Sequence, residues 1–145
     1  MFGDAAGDAL GVCMYVVNIT PQGRQIPRLV GAKTKVVSAK QQKTDVTTTK
    51  TFIEKHGEKY QGFAPAINRL ELGAATMSTS FAQKVCSVVD IDISKIHFWT
   101  DNENTIRYIN GARSDFLSKT NRDKIDTILS RTSPEQWNHV EGCRN

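Results

Sequence analysis

Cysteine is scarce and badly placed for cross-linking: Cys13, Cys86 and Cys143 are odd in number, far apart and never in a CxxC pair. That argues against a disulfide framework and against a zinc site, and it fits a reducing intracellular setting, cytoplasm or nucleus. Histidine is equally thin, with His56, His97 and His139 scattered, so no structural metal site built from His and Cys is expected. No apolar stretch approaches the ~20 residues that a membrane helix needs. The opening "MFGDAAGDALG" carries acid and no basic n-region, unlike a secretory signal. Nor is there an internal repeat. What remains is a 145-residue chain with 39% hydrophobic and 23% charged side chains. That composition suits one globular domain spanning 1–145.

Charge is present but uneven. Between Lys33 and Lys59, seven lysines face only Asp45, Glu54 and Glu58, and this segment holds the whole net charge of +4. Such a cluster suits either a phosphate-contacting surface or a solvated, mobile loop.

"GVCMYVVNI" (11–19) alternates and is rich in β-branched residues, so it reads as a strand. "TPQGR" (20–24) reads as a hairpin-like turn, and "RLVGAKTKVVS" (28–38) as a second long strand. The opening segment supplies a short strand ending near Asp4. Residues 40–66 are Lys/Thr/Gln-rich and lack a period; we expect a long, partly flexible insertion with at most a short helix near Phe52–Lys59. Leu70, Ala74, Met77, Phe81, Val85 and Val88 then follow helical spacing. Asn68 is placed as the N-cap, with Glu71 three residues later as in a capping box. "KIHFWT" lacks alternation and reads as a strand buried on both faces. Asn102 would cap a helix that ends at Gly111, a third helix would cover about 116–131, and "QWNHV" would be a last strand. The expected architecture is α/β: a mixed sheet with an antiparallel three-stranded meander and two parallel strands, flanked by helices.

Three acids stand out by position: Asp4 ending the first strand, Glu71 opening the long helix, and Asp101 ending "HFWT". Each has a plain explanation in turn or cap chemistry. If the first and fourth strands are neighbours, however, Asp4 and Asp101 lie side by side and the helix start brings Glu71 over both. Three crowded carboxylates repel one another unless a cation is present. A hard, all-oxygen donor set suits Mg²⁺ or Mn²⁺.

"FGDAAGDALGVCMY", "PRLVGAKTKV", "NRLELGAATM", "HFWTDNENTIRYI" and "WNHVEGCRN" together resemble, in order and spacing, a ribonuclease H domain. They most resemble the version in Pol polyproteins of BEL/Pao-type retrotransposons. The resemblance covers nearly the whole chain outside about 40–66. It implies a ribonuclease H-like fold and metal-dependent hydrolysis of the RNA strand of RNA–DNA hybrids, with Asp4, Glu71 and Asp101 as catalytic metal ligands and a two-ion site. Lys33, Lys35, Arg69 and Asn102 are the candidate nucleic-acid contacts. The implied partners are the hybrid itself and the reverse transcriptase and integrase of a Pol polyprotein, with no membrane. An integrase on the same fold is disfavoured, because there the third acid comes from a late helix rather than from "RLELGAA".

The sequence also departs from that pattern. Ala6 stands where the family has Ser, and 40–66 is longer than the usual connection. The family's further Asp would fall downstream of "HVEGCRN", and its first strand is longer than the three residues before Asp4. Both ends therefore look clipped, as in a gene fragment or a domesticated remnant. The expectation is a weakened second ion, apolar exposure at Phe98, Trp99 or Trp137, and reduced or absent cleavage. The alternative is a non-catalytic nucleic-acid-binding or interaction module on the same fold.

Overall fold

The computed structural model describes residues 1–112, 115 and 117–142. It opens with three antiparallel strands, β1 (Phe2–Ala5), β2 (Ala9–Ile19) and β3 (Gln25–Val36). Gly23, at φ 78°, closes the turn between β2 and β3 in a conformation that side chains disfavour. Two short strands, β4 (Phe98–Thr100) and β5 (Trp137–His139), complete a five-stranded mixed sheet in the order β3-β2-β1-β4-β5. β1, β4 and β5 are parallel. The expected α/β layout, with its meander and its parallel pair, is therefore present. β4 is shorter than "KIHFWT", because Ile93–Lys95 turns as a 3₁₀ helix whose Ser94 amide is capped by the Asp92 carboxylate.

The segment 40–66, expected to hold at most a short helix, is helical over most of its length. Ala39–His56 forms α1, a helix of 18 residues, and Glu58–Phe63 is a 3₁₀ turn. The sequence hides α1 because only Asp45 and Phe52 on it are buried, too few for a visible apolar stripe. Its threonines, poor helix formers, turn their hydroxyls inward along the helix: Thr44, Thr47 and Thr48 each donate to the carbonyl four residues back. Ser38 caps the start and Gly57, at φ 93°, ends it by donating to the Ile53 carbonyl.

α2 runs from Pro65 to Val89 with Ala64 at its cap position, four residues earlier than the Asn68 cap predicts. Proline suits the first helical position, since its missing N–H would have had no partner there. Asn68 is consequently inside the helix and buried, its side-chain amide donating to the Phe63 carbonyl at 2.9 Å. Glu71 lies in the second turn, not the first. The stripe from Leu70 to Val88 is only half of the story: Val88 is 84% exposed, while Leu72, Ala75, Thr79, Ala82 and Cys86 are buried. α2 is flanked on two sides, by the sheet beneath and by α4 (Lys119–Leu129) alongside, so one stripe cannot describe it. The expected 116–131 helix is trimmed to α4, with Ser118 as its cap; residue 116 lies outside the described residues.

α3 (Glu103–Ile109) follows β4, capped by Asn102, whose side chain accepts from Thr105 N at 2.8 Å. Gly111, at φ 90°, lies just beyond it. Phe98 and Trp137 stack at 4.8 Å inside the core with Leu72, Ile109 and Ile128. Neither is exposed, contrary to expectation: these side chains point to the face that α2, α3 and α4 cover. The opposite face of the sheet carries Trp99, Phe2 and Tyr15 in a row, ring to ring at 6.2 and 6.3 Å. Beyond Met14, β2 leaves the helical layer and Tyr15–Ile19 are exposed. Among the described residues, no helix is long and apolar enough to cross a membrane.

Candidate metal centre

Register fixes two of the three acids. Phe2 of β1 is paired with Trp99 of β4 in a parallel ladder. Asp4 and Asp101 each stand two residues further along, so the ladder keeps them abreast at the same end of the sheet. The third acid comes from above. Gly3 lets α2 settle onto β1: a Cβ there would lie 2.4 Å from Ser78 Oγ and 3.4 Å from the Ala74 carbonyl oxygen. With the helix this close, Glu71 reaches the strand ends. One carboxylate oxygen each from Asp4, Glu71 and Asp101 lies within 4.8 Å of the others.

Each acid is held differently. Asp4 is exposed, and its Oδ1 accepts from Ala5 N at 2.7 Å. Asp101 is backed by the end of β5 and the residue after it: His139 Nε2 donates to its carbonyl at 3.1 Å, and Val140 N donates to the Thr100 carbonyl at 3.0 Å. Gly142 packs so tightly that a Cβ would approach Asp101 Oδ2 to 3.1 Å. Glu71 is the strained member. Burial, then the charges of Asp101 and Asp4, push its carboxyl up to about 8. Its Oε2 is buried and has no hydrogen-bond partner among the described residues.

An orphaned buried oxygen amid mutually repelling acids is the environment that a hard cation completes, so the three residues fit a divalent ion bound through oxygen. Without such an ion, Glu71 keeps its proton at neutral pH.

The expected nucleic-acid contacts do not form one group. Lys33 and Lys35 are exposed on β3, an edge strand of the sheet. Arg69 is committed elsewhere: its guanidinium forms an ion pair with Asp45, which also accepts from Gln41 Nε2 at 2.9 Å, and so ties α1 to α2. The Asn102 side-chain oxygen is used in capping α3. Sequence reasoning missed His139 behind Asp101, although "WNHV" was in view. It also missed Lys124, which no local pattern marks; its ammonium reaches across to the Arg69 carbonyl at 2.7 Å.

Comparison with family models, with curated proteins and with solved structures gives no match.

Proposed function

We propose that this chain is a ribonuclease H-like nuclease domain of the BEL/Pao retrotransposon type, hydrolysing the RNA strand of RNA–DNA hybrids with Mg²⁺ or Mn²⁺. The observation that carries the reading is the convergence of Asp4, Glu71 and Asp101 from β1, α2 and β4. The order of elements around them, a meander, then after α1 a helix bearing the second acid, then a parallel strand with the third just past its end, supports it further.

Bound by these carboxylates, divalent ions would supply a Lewis acid for the phosphodiester and a more acidic water. The chain's own residues set the conditions. Asp4 and Asp101 offer neighbouring carboxylates from two parallel strands. Glu71 adds a third from a helix that the Gly3 contact holds in place. The Glu71 proton must leave before its carboxylate can act as a ligand, so occupancy and activity should rise with pH toward 8. The His139 and Val140 hydrogen bonds fix the backbone at Thr100 and Asp101, which keeps the acids in register. In this reading the chain works beside reverse transcriptase and integrase modules of a Pol polyprotein, with the hybrid as substrate.

The test is cleavage of a labelled RNA–DNA hybrid, with duplex RNA and duplex DNA as controls. Mg²⁺- or Mn²⁺-dependent cleavage of the RNA strand alone, lost in Asp101→Asn, is expected. No cleavage with either ion, together with no metal-induced change in melting temperature, would overturn the reading. Hybrid binding that survives Asp101→Asn without any cleavage in the wild type would favour the non-catalytic binding module instead.

A further inference from the structure

Lys124 is a half-buried cation that the carboxylate cluster does not use. Its ammonium lies over α2, donating to the Arg69 carbonyl at 2.7 Å and 4.0 Å from where a Cβ on Gly73 would be. That same Cβ would be 3.2 Å from Leu10 Cδ1, and Leu10 is the cross-strand partner of Lys35. Gly73 is thus the point at which α4 and β2 come together, with Lys35 one strand further out.

Around Lys124 the charges are of one sign. Burial and then the positive charges of Arg69 and Lys35 pull it down to about 8. Arg69 is neutralised by Asp45, but Lys124 pairs with no carboxylate among the described residues. A partly desolvated ammonium among cations is costly unless an anion joins it. Lys124 donates to the Arg69 carbonyl, and an ammonium has three donors to give. Lys35 is exposed, and its charge is near enough to act on Lys124.

We propose that Lys124 and Lys35 together bind a backbone phosphate of a nucleic-acid strand, at a place distinct from the carboxylate cluster. The proposal rests on the nucleic-acid reading above but not on cleavage. Gly73 and Glu71 are two residues apart on α2 and so point about 200° apart around the helix. The phosphate held here is therefore not the one being cut; it anchors the duplex away from the cluster.

The experiment is equilibrium binding of a fluorescent RNA–DNA hybrid to the full chain in EDTA, where no cleavage occurs, over a series of KCl concentrations. Lys35→Gln and Lys124→Met should each weaken binding several-fold and reduce the slope of log K against log salt by about one. Lys124→Arg should retain most of the affinity. Lys84→Gln, at an exposed lysine far along α2, controls for the loss of one charge. Because Lys35 is exposed on the edge strand, Lys35→Gln remains decisive if Lys124→Met fails to fold. Slopes for Lys35→Gln and Lys124→Met equal to that of Lys84→Gln, or no measurable hybrid binding by the wild type, would overturn the site. Cleavage with Mg²⁺ is scored separately: a wild type that binds with these slopes but never cleaves keeps the phosphate site and loses the nuclease reading.

Discussion

Gly3 of β1 and Ser78 of α2 touch where any larger side chain would collide, a Cβ on Gly3 falling 2.4 Å from Ser78 Oγ. This contact sets the height of α2 above the sheet, and with it the reach of Glu71. Gly3→Ala should cost about 1–3 kcal/mol through overpacking and weaken divalent-ion binding at the same time. Ser78 Oγ is buried with no partner among the described residues, so Ser78→Ala alone should be near neutral. The double variant should recover much of the loss. Thermal unfolding of the four proteins in a double-mutant cycle, with Mg²⁺ titrations alongside, measures both effects.

Asp101→Asn should separate stability from function. With Glu71 protonated, removing the Asp101 charge relieves its repulsion with Asp4, so the melting temperature in EDTA at neutral pH should rise, by about 2–4 °C if the relief is about 1 kcal/mol. Stabilisation by Mg²⁺ should fall sharply in the same variant. A melting temperature that drops in EDTA would show that Asp101 serves the fold rather than a ligand.

The Glu71 carboxyl gives a pH signature. Its folded value of about 8 lies above the ordinary 4.5, so between these limits the folded chain holds a proton that the unfolded chain has released. Its contribution to stability is complete below about pH 4.5 and is lost as pH rises through 8. In EDTA the wild type should therefore lose stability across this window relative to Glu71→Gln, which cannot titrate there. Millimolar Mg²⁺ should raise the wild-type melting temperature more at pH 8 than at pH 5, because the ion replaces the proton. Parallel curves for wild type and Glu71→Gln in EDTA would contradict this assignment.

The Arg69–Asp45 pair makes α1 part of the domain. Asp45→Asn leaves the guanidinium without its counter-charge and should cost about 1–3 kcal/mol. Asp45→Leu combined with Arg69→Met should cost less than the sum of the two single changes, since an apolar pair removes both desolvated charges. Chemical denaturation at neutral pH checks the order.

What the residue pattern revealed and what it concealed have physical reasons. The meander, the parallel strands and the three acids were legible because alternation, an unbroken apolar strand and acids at element ends are local signals. α1 was not legible: its attachment depends on one buried acid and one ring, Asp45 and Phe52, and on Arg69, 24 residues beyond Asp45. The Asn68 cap misled because Pro65 begins the helix by backbone geometry alone. The exposure expected for Phe98 and Trp137 was wrong because the face of a strand residue is settled by its register, not by its composition. Lys124 was invisible, since nothing near it in sequence marks an ammonium that reaches a carbonyl 55 residues away.

β3 has a neighbour on one side only, which leaves its outer backbone groups available to a further strand. Arg28, Lys33 and Lys35 line that strand, and Pro27 interrupts its donors. Two copies approaching edge to edge would bring like charges together, so the same lysines that suit a polyanion also act as gatekeepers against fibril-like stacking. Concentrated salt, by screening them, should make the chain self-associate, visible as a rising sedimentation coefficient.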